Sequence, residues 1–311
     1  MKYLITGGSG FIGSNIAHHL LEKGEQVRIL DNLSTGRFSN IEPILDSIEF
    51  IEGDIRDFWT VTDAVKGVDY VLHQAALPSV PRSVENPLTS NEVNINGMLN
   101  VLYASREAKV KKVVLASSSS VYGESEELPK HEKMTPSPLS PYAVNKITGE
   151  YYFHVFYRLY GLPTVCLRYF NIFGPRQNPK SDYAAVIPKF IACLMKGEKP
   201  TVFGDGLQSR DFTYIQNCIE ANILAATNEK MVGDSFNVAC GGQFTLNDLI
   251  DKIREVLKVD TDAIYTDERA GDIKHSYATI DKIKKFGYKG EIDFTEGLKR
   301  TIEFFKSNPN P

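Results

Sequence analysis

From Lys2 to Arg168 the chain alternates two hydrophobic patterns. Short continuous apolar runs at Lys2–Thr6, Gln26–Asp31, Ile48–Asp54, Asp69–Gln74, Lys112–Ser117 and Pro163–Arg168 predict strands buried on both faces. Between them, apolar residues at helical spacing predict helices over Phe11–Lys23, Phe58–Val65, Glu92–Glu107 and Tyr142–Tyr160, each bounded by Gly, Asn, Asp or Pro. Such an alternation needs right-handed crossovers, which put helices on both faces of a parallel sheet. The predicted fold is α/β, doubly wound. After Gly174 the pattern loosens into helices at Val186–Lys196, Gln216–Thr227 and Leu246–Leu257, a turn-rich stretch Gly204–Arg210 and a mixed C-terminal tail. Ser235–Val238 reads as one more buried strand that returns to the sheet. The expected division is a sheet domain over residues 1–172 plus that strand, and a smaller α/β unit over residues 173–311.

Composition narrows the partners. With 42% hydrophobic and 24% charged residues, the chain has an ordinary globular balance and is not largely disordered. Its net charge is −4 and it has no long Lys/Arg run, which argues against sequence-independent nucleic-acid binding. No apolar stretch approaches the roughly 18–20 residues of a membrane span, and Met1–Leu4 leads into a strand with no export-signal pattern. A soluble, cytoplasmic protein without membrane contact is expected. Cys166, Cys193, Cys218 and Cys240 are scattered and form no CxxC pair, so buried reduced thiols are expected and no metal site.

Thr6-Gly7-Gly8-Ser9-Gly10-Phe11-Ile12-Gly13 follows the first strand and opens the first helix. Gly7 and Gly10 lack the Cβ that would keep backbone amides from a pyrophosphate, Gly13 permits close helix–strand packing, and the helix end adds partial positive charge. Asp31 closes the next strand, where a carboxylate accepts from ribose hydroxyls and repels a 2′-phosphate, so NAD is expected over NADP. Arg37, a few residues on, would offset part of that repulsion. Asp54 reads as acceptor for the adenine amino group, with Ile55 packing beside it, or as a cap for the Phe58–Val65 helix.

Tyr142 and Lys146 stand four apart, on one face of a helix beginning near Pro141. A phenol with an unperturbed pKa of about 10 is a poor base at neutral pH; a nearby ammonium and a positive nicotinamide ring both favour phenolate. Any amphipathic helix can hold Tyr-x-x-x-Lys. A second signal is Ala116-Ser117-Ser118-Ser119-Ser120-Val121-Tyr122-Gly123, at the carboxyl end of a predicted parallel strand, where open α/β sheets bind ligands. The alternative is a serine-rich turn.

These pieces together resemble the extended short-chain dehydrogenase/reductase family, in its nucleotide-sugar branch, over essentially the whole chain. The likeness also covers His73-Gln74-Ala75-Ala76, Leu167 to Gly174, Phe203-Gly204-Asp205-Gly206, Arg210-Asp211-Phe212-Thr213-Tyr214 and Arg269-Ala270-Gly271-Asp272. It implies a Rossmann-like sheet and NAD contacts from Gly7, Gly10, Phe11, Ile12, Asp31, Asn32, Ser34, Thr35, Gly36, Asp54, Ile55, Gln74, Ala75, Ala76, Asn94, Ser117, Tyr142, Lys146, Tyr169 and Ile172. It further implies catalysis by Ser118, Tyr142 and Lys146, and a homodimer packed through the helices at Glu92–Glu107 and Tyr142–Tyr160.

Dehydratases and decarboxylases of this branch carry Glu immediately before Val-Tyr-Gly; here that residue is Ser120, so the group that assists chemistry beside a 4-keto sugar is missing. An epimerase needs none. The resemblance therefore implies 4-epimerisation: Tyr142 takes the 4-hydroxyl proton, Ser118 hydrogen-bonds that oxygen, NAD takes and returns the C4 hydride, and the keto sugar turns over in between. The implied substrate contacts are Ser79, Arg82, Ser118, Ser119, Tyr142, Asn171, Gln177, Ala185, Val186, Thr201, Phe203, Gln208, Arg210, Arg269, Asp272 and Ser276. Arg210 and Arg269 would clamp the diphosphate, although either taken alone reads as a surface ion-pair member. Phe203 fits a uracil face or the core. Ser276 occupies the sugar-pocket gate, where a small residue admits an acetamido group and a Tyr would fill the space. That likeness points to UDP-N-acetylglucosamine, with UDP-glucose or UDP-glucuronate 4-epimerisation as the alternatives and a catalytically silent NAD-binding regulator as a different class. Two positions depart from close relatives: Pro78 replaces a common Gly beside the sugar, and Asn217 replaces a common Asp.

Overall fold

Strands β1 (Lys2–Thr6), β2 (Gln26–Asp31), β3 (Ile48–Glu52), β4 (Tyr70–His73), β5 (Lys112–Ser118) and β6 (Thr164–Tyr169) lie within two residues of the predicted runs. The computed structural model describes residues 1–125, 127–180, 185–268 and 274–308. These strands and Asp234–Val238 make one parallel seven-stranded sheet, in the order Asp234–Val238, β6, β5, β4, β1, β2, β3. Asp234–Val238 pairs with β6, Ser235 opposite Cys166. The strand order reverses between β1 and β4, which opens a crevice beyond Thr6 and His73, the place where doubly wound sheets bind ligands.

Alternate side chains of each strand feed two cores. Leu4, Leu30, Val71, Val113 and Leu115 point into one, with Val101, Leu102 and Phe153 from helices α5 (Met98–Glu107) and α6 (Pro141–Tyr160). Tyr3, Ile5, Ile29, Leu72 and Val114 point into the other, with Ile16 and Leu20 of α1 (Phe11–Glu22). This second core continues without a break into Ile219, Phe212, Leu249 and Leu298, so the later half of the chain shares its interior with the sheet. The shared core is why the later half does not read as a sequential unit.

One predicted helix divides. The Glu92–Glu107 segment begins with a wider π turn, Glu92–Gly97, before α5, and it is preceded by short helices α3 (Val80–Glu85) and α4 (Pro87–Asn91) that the apolar pattern did not show. In the later half, α7 (Val186–Met195), α8 (Ile215–Thr227) and α9 (Leu246–Leu257) match expectation. The tail contains α10 (Asp281–Lys284) and α11 (Phe294–Ser307), whose buried Phe294, Leu298, Ile302 and Phe305 carry a helical period that the sequence reading passed over. Short pairings complete this half: Ser209–Arg210 lies between Phe244–Thr245 and His275–Ser276, with Ser276 opposite Arg210. All four cysteines are free; Cys166 and Cys218 are buried, but Cys193 and Cys240 are only half-buried because each stands at the edge of the core.

Candidate active site

At the crevice the glycine loop turns from β1 into α1. Gly7 has φ +70°, and a Cβ there would stand 2.7 Å from the Ala75 backbone, so the close approach of this loop to the end of β4 requires glycine. Gly10 caps α1 without a side chain, which leaves the first-turn N–H groups to an anionic ligand. Asp31 is buried at the end of β2, where its carboxylate accepts from the N–H groups of Ser9 (2.9 Å) and Leu33 (2.8 Å); burial pushes its carboxyl up.

The crevice is a cleft of about 840 Å³. Every cofactor residue expected above lies on its wall except Asn94 and Ile172, and so do Ser79, Arg82, Gln177 and Ala185 from the substrate set. Arg37 stands on the same wall. Asp54 is not the cap of α2 (Phe58–Ala64): Asp57 accepts from Trp59 N–H there, while Asp54 binds Arg56 (2.8 Å) and Asn32 (2.7 Å) and is held down to about 2, chiefly by Arg56.

Asn94 faces the other way. The π turn aims its amide at the loop after β4, where Oδ1 accepts from Leu77 N–H (2.7 Å) and Nδ2 donates to Leu77 C=O (3.1 Å). It thus braces the chain just before Pro78 and Ser79, and Ser79 sits at φ +101°, a conformation that costs a non-glycine residue about 1–3 kcal/mol.

Tyr142 and Lys146 project from the first turns of α6, which Ser140 caps through Ala143 N–H (3.2 Å). The Lys146 Nζ donates to Ala116 C=O (2.7 Å) and lies 5.6 Å from the centre of the Tyr142 ring. Desolvation pulls Lys146 down to about 8 and pushes Tyr142 up to about 12, against a hydrogen bond from Ser118 that favours its ionised form. In the protein alone, burial outweighs this bond and the phenol keeps its proton, so the expected phenolate depends on positive charge from the cofactor. Ser118 and Ser119 sit where β5 ends, off the cleft wall, with Ser118 bonded to Tyr142.

A second cavity of about 290 Å³ adjoins the cleft at Ala185, which lines both. Asn171, Ile172, Val186, Thr201, Phe203, Gln208 and Arg210 line it, so Ile172 lies here and not at the cofactor cleft. Phe203 is half-buried and lines this cavity. Ser276 lies on neither wall but beside Arg210 in the short sheet. Arg269 and Asp272 lie outside the described residues.

Three further groups were missed from sequence. Lys189 lines the second cavity, one helical turn beyond Val186. His73 at the end of β4 shares a hydrogen bond between Nδ1 and the Thr6 hydroxyl (2.7 Å), and burial takes it down to about 3, so a neutral ring lies beneath the cleft. Asn222, buried on α8, donates to Tyr169 Oη (2.8 Å) and accepts from Gln74 Nε2 (3.0 Å), which fixes two cleft residues from the later half of the chain. No local motif marks Asn222, because its partners are far away in sequence. Asn217 is also accounted for: it donates to Ile292 C=O (2.7 Å) and accepts from Ile292 N–H (3.1 Å), a pairing an ionised Asp cannot complete.

Residues 3–239 match the model of the NAD dependent epimerase/dehydratase family. This chain belongs to that family. Among its relatives is a putative UDP-glucose 4-epimerase of Methanocaldococcus jannaschii, 41% identical with 98% of each chain covered. A solved structure of UDP-N-acetylglucosamine 4-epimerase from Methanobrevibacter ruminantium, in complex with UDP-N-acetylmuramic acid, shares 44% identity over 98% of each chain with a TM-score of 0.94. The UDP-glucose 4-epimerase of Thermotoga maritima, solved with UDP-glucose, has 36% identity over 99% of this chain and 100% of that one, again with a TM-score of 0.94. The chain is an NAD-dependent isomerase, and the glycine cradle, the open first turn of α1 and buried Asp31 fit NAD.

Proposed function

We propose that this enzyme, an NAD-dependent 4-epimerase of UDP-sugars, interconverts UDP-N-acetylglucosamine and UDP-N-acetylgalactosamine. The observation that carries the reading is Tyr142 bonded to Ser118 with Lys146 behind it, Tyr142 and Lys146 on the wall of the large cleft, and with Ser120 where related dehydratases hold a carboxylate. Gly7, Gly10, Phe11 and Ile12 hold the cofactor pyrophosphate, Asp31 the ribose, and Asp54 with Ile55 the adenine. When bound, NAD supplies a positively charged hydride acceptor for C4, which favours the phenolate and later returns the hydride. Tyr142 takes the 4-hydroxyl proton and gives it back, Ser118 orients the oxygen, and Lys146 keeps positive charge beside the phenol. Residues 173–311, apart from the returning strand, serve the nucleotide sugar: Phe203 packs on uracil and Arg210 and Arg269 grip the diphosphate.

The acetylated sugar is supported by small Ser276 next to Arg210 and by the likeness to the Methanobrevibacter enzyme. A second reading, UDP-glucose, is favoured by the likeness to the Methanocaldococcus and Thermotoga proteins. Purified enzyme given UDP-N-acetylglucosamine should form UDP-N-acetylgalactosamine, resolved by chromatography, and its absence at any enzyme concentration removes the proposal. Relative turnover of UDP-glucose and UDP-glucuronate ranks the alternatives. Ser276→Tyr should lose the acetylated substrate and keep UDP-glucose.

The assembly that accompanies this reading is a homodimer. Val144, Tyr151, Val155 and Leu159 recur at helical spacing along α6 and are exposed, Leu159 by 71%, a stripe that a second copy of α5 and α6 would cover.

A further inference from the structure

Asp211 follows Arg210, the cation assigned to the diphosphate, and the proposed chemistry gives its carboxylate no task. Asp211 is fully buried, and burial pushes its carboxyl up to about 6. Its side chain is spent on the backbone of two distant segments: Oδ1 accepts from Cys240 N–H (3.0 Å), and Oδ2 from Gly241 N–H (3.0 Å) and Ala278 N–H (3.4 Å). Its main chain adds two links, donating to Ser276 C=O (2.9 Å) and accepting from the Asn171 amide (3.1 Å). Asn171 itself is held at φ +37°, a left-handed conformation that needs such anchoring.

We infer that Asp211 is the positioning residue of the nucleotide-sugar site, holding Asn171, Arg210 and Ser276 in one frame through five hydrogen bonds to the segments that carry or flank them. The inference rests on the substrate reading above. The two main-chain bonds would form with any residue at this position, but only a carboxylate meets the three side-chain ones. Donors converge on both of its oxygens, so an amide of the same shape turns an N–H₂ toward at least one N–H and strands that group in the interior. The expected damage falls on the second cavity and spares the cofactor cleft, because none of the five bonds reaches a residue of the glycine loop, β2 or α6.

The test is calorimetric titration of parent and Asp211→Asn with UDP and with NAD, joined to steady-state kinetics. Loss of one buried acceptor predicts UDP binding weaker by about tenfold or more, a matching rise in KM with kcat largely kept, and NAD affinity within about twofold of the parent. UDP affinity within about twofold of the parent overturns the inference, and so does joint loss of UDP and NAD, which would mark a general role in folding. A parent that fails to bind UDP refutes the substrate reading itself, and the inference falls with it. Should Asp211→Asn not accumulate, hydrogen exchange of the unmodified enzyme decides: saturating UDP should slow exchange at Cys240, Gly241 and Ala278, and unchanged exchange there overturns the assignment.

Discussion

Tyr142 holds its proton in the protein alone because desolvation of its hydroxyl outweighs the bond with Ser118. In the proposed reaction the residue becomes a base only when further positive charge arrives, so proton removal is tied to a loaded cofactor cleft. Tyr142→Phe should abolish epimerisation and leave NAD affinity in place; an unaffected rate would reassign the base. Lys146, at about 8, carries its charge below that pH and loses it above, so kcat/KM should fall on the alkaline side of about 8. A profile flat to about pH 10 would deny the lysine its electrostatic part. Stability moves the other way: between about 8 and the ordinary lysine value of 10.5 the unfolded chain binds the proton that the folded chain has lost, so this residue's contribution rises with pH. The residue types of this pair were legible from their four-residue spacing, but their balance of burial against charge was not, because desolvation depends on neighbours supplied by other strands.

α6 carries both residues and is tied to the sheet by a buried polar cluster at its middle. Glu150, one turn past Lys146, accepts from Ser117 (2.5 Å), Ser235 (2.8 Å) and Arg168 (2.7 Å), and Arg168 donates in turn to Tyr122 Oη (2.9 Å). Every oxygen of the carboxylate is satisfied, which allows an ion pair 1% and 5% exposed to persist. Glu150→Gln should destabilise the fold by about 3–5 kcal/mol in urea unfolding, whereas joint replacement of Glu150 and Arg168 by Met should cost far less. Equal losses would show that the cost lies in packing and not in the stranded charge. The helix itself was plain in the sequence; this clasp was not, since it joins β5, β6 and the strand at Asp234–Val238. The π turn at Glu92–Gly97 is the same kind of case, because the apolar period continues through it and only the folded backbone shows the change of register that lets Asn94 bond Leu77.

Across the whole molecule, the later half contributes α8 to the sheet's core, the Asn222 bonds that fix Tyr169 and Gln74 of the cleft, and a strand to the sheet edge. The two halves of the chain therefore share one interior, and unfolding of either should accompany the other in a single transition by circular dichroism and tryptophan fluorescence; two resolved transitions would contradict the shared core. If the exposed stripe on α6 is a dimer seam, Val155→Glu should convert the enzyme to a monomer in sedimentation, and an unchanged mass would place any dimer elsewhere. The alternation of buried runs and amphipathic helices, the glycine loop with Asp31, and the Tyr142/Lys146 spacing were determined by the sequence, because each rests on local period or on residues close together in the chain. Tertiary structure alone decided the π turn, the burial that keeps Tyr142 protonated, the clasp at Glu150, the Asn222 bridge and the convergence on Asp211. Each of these depends on groups far apart in the chain that meet only when the sheet closes, and no local pattern encodes which distant donor will arrive.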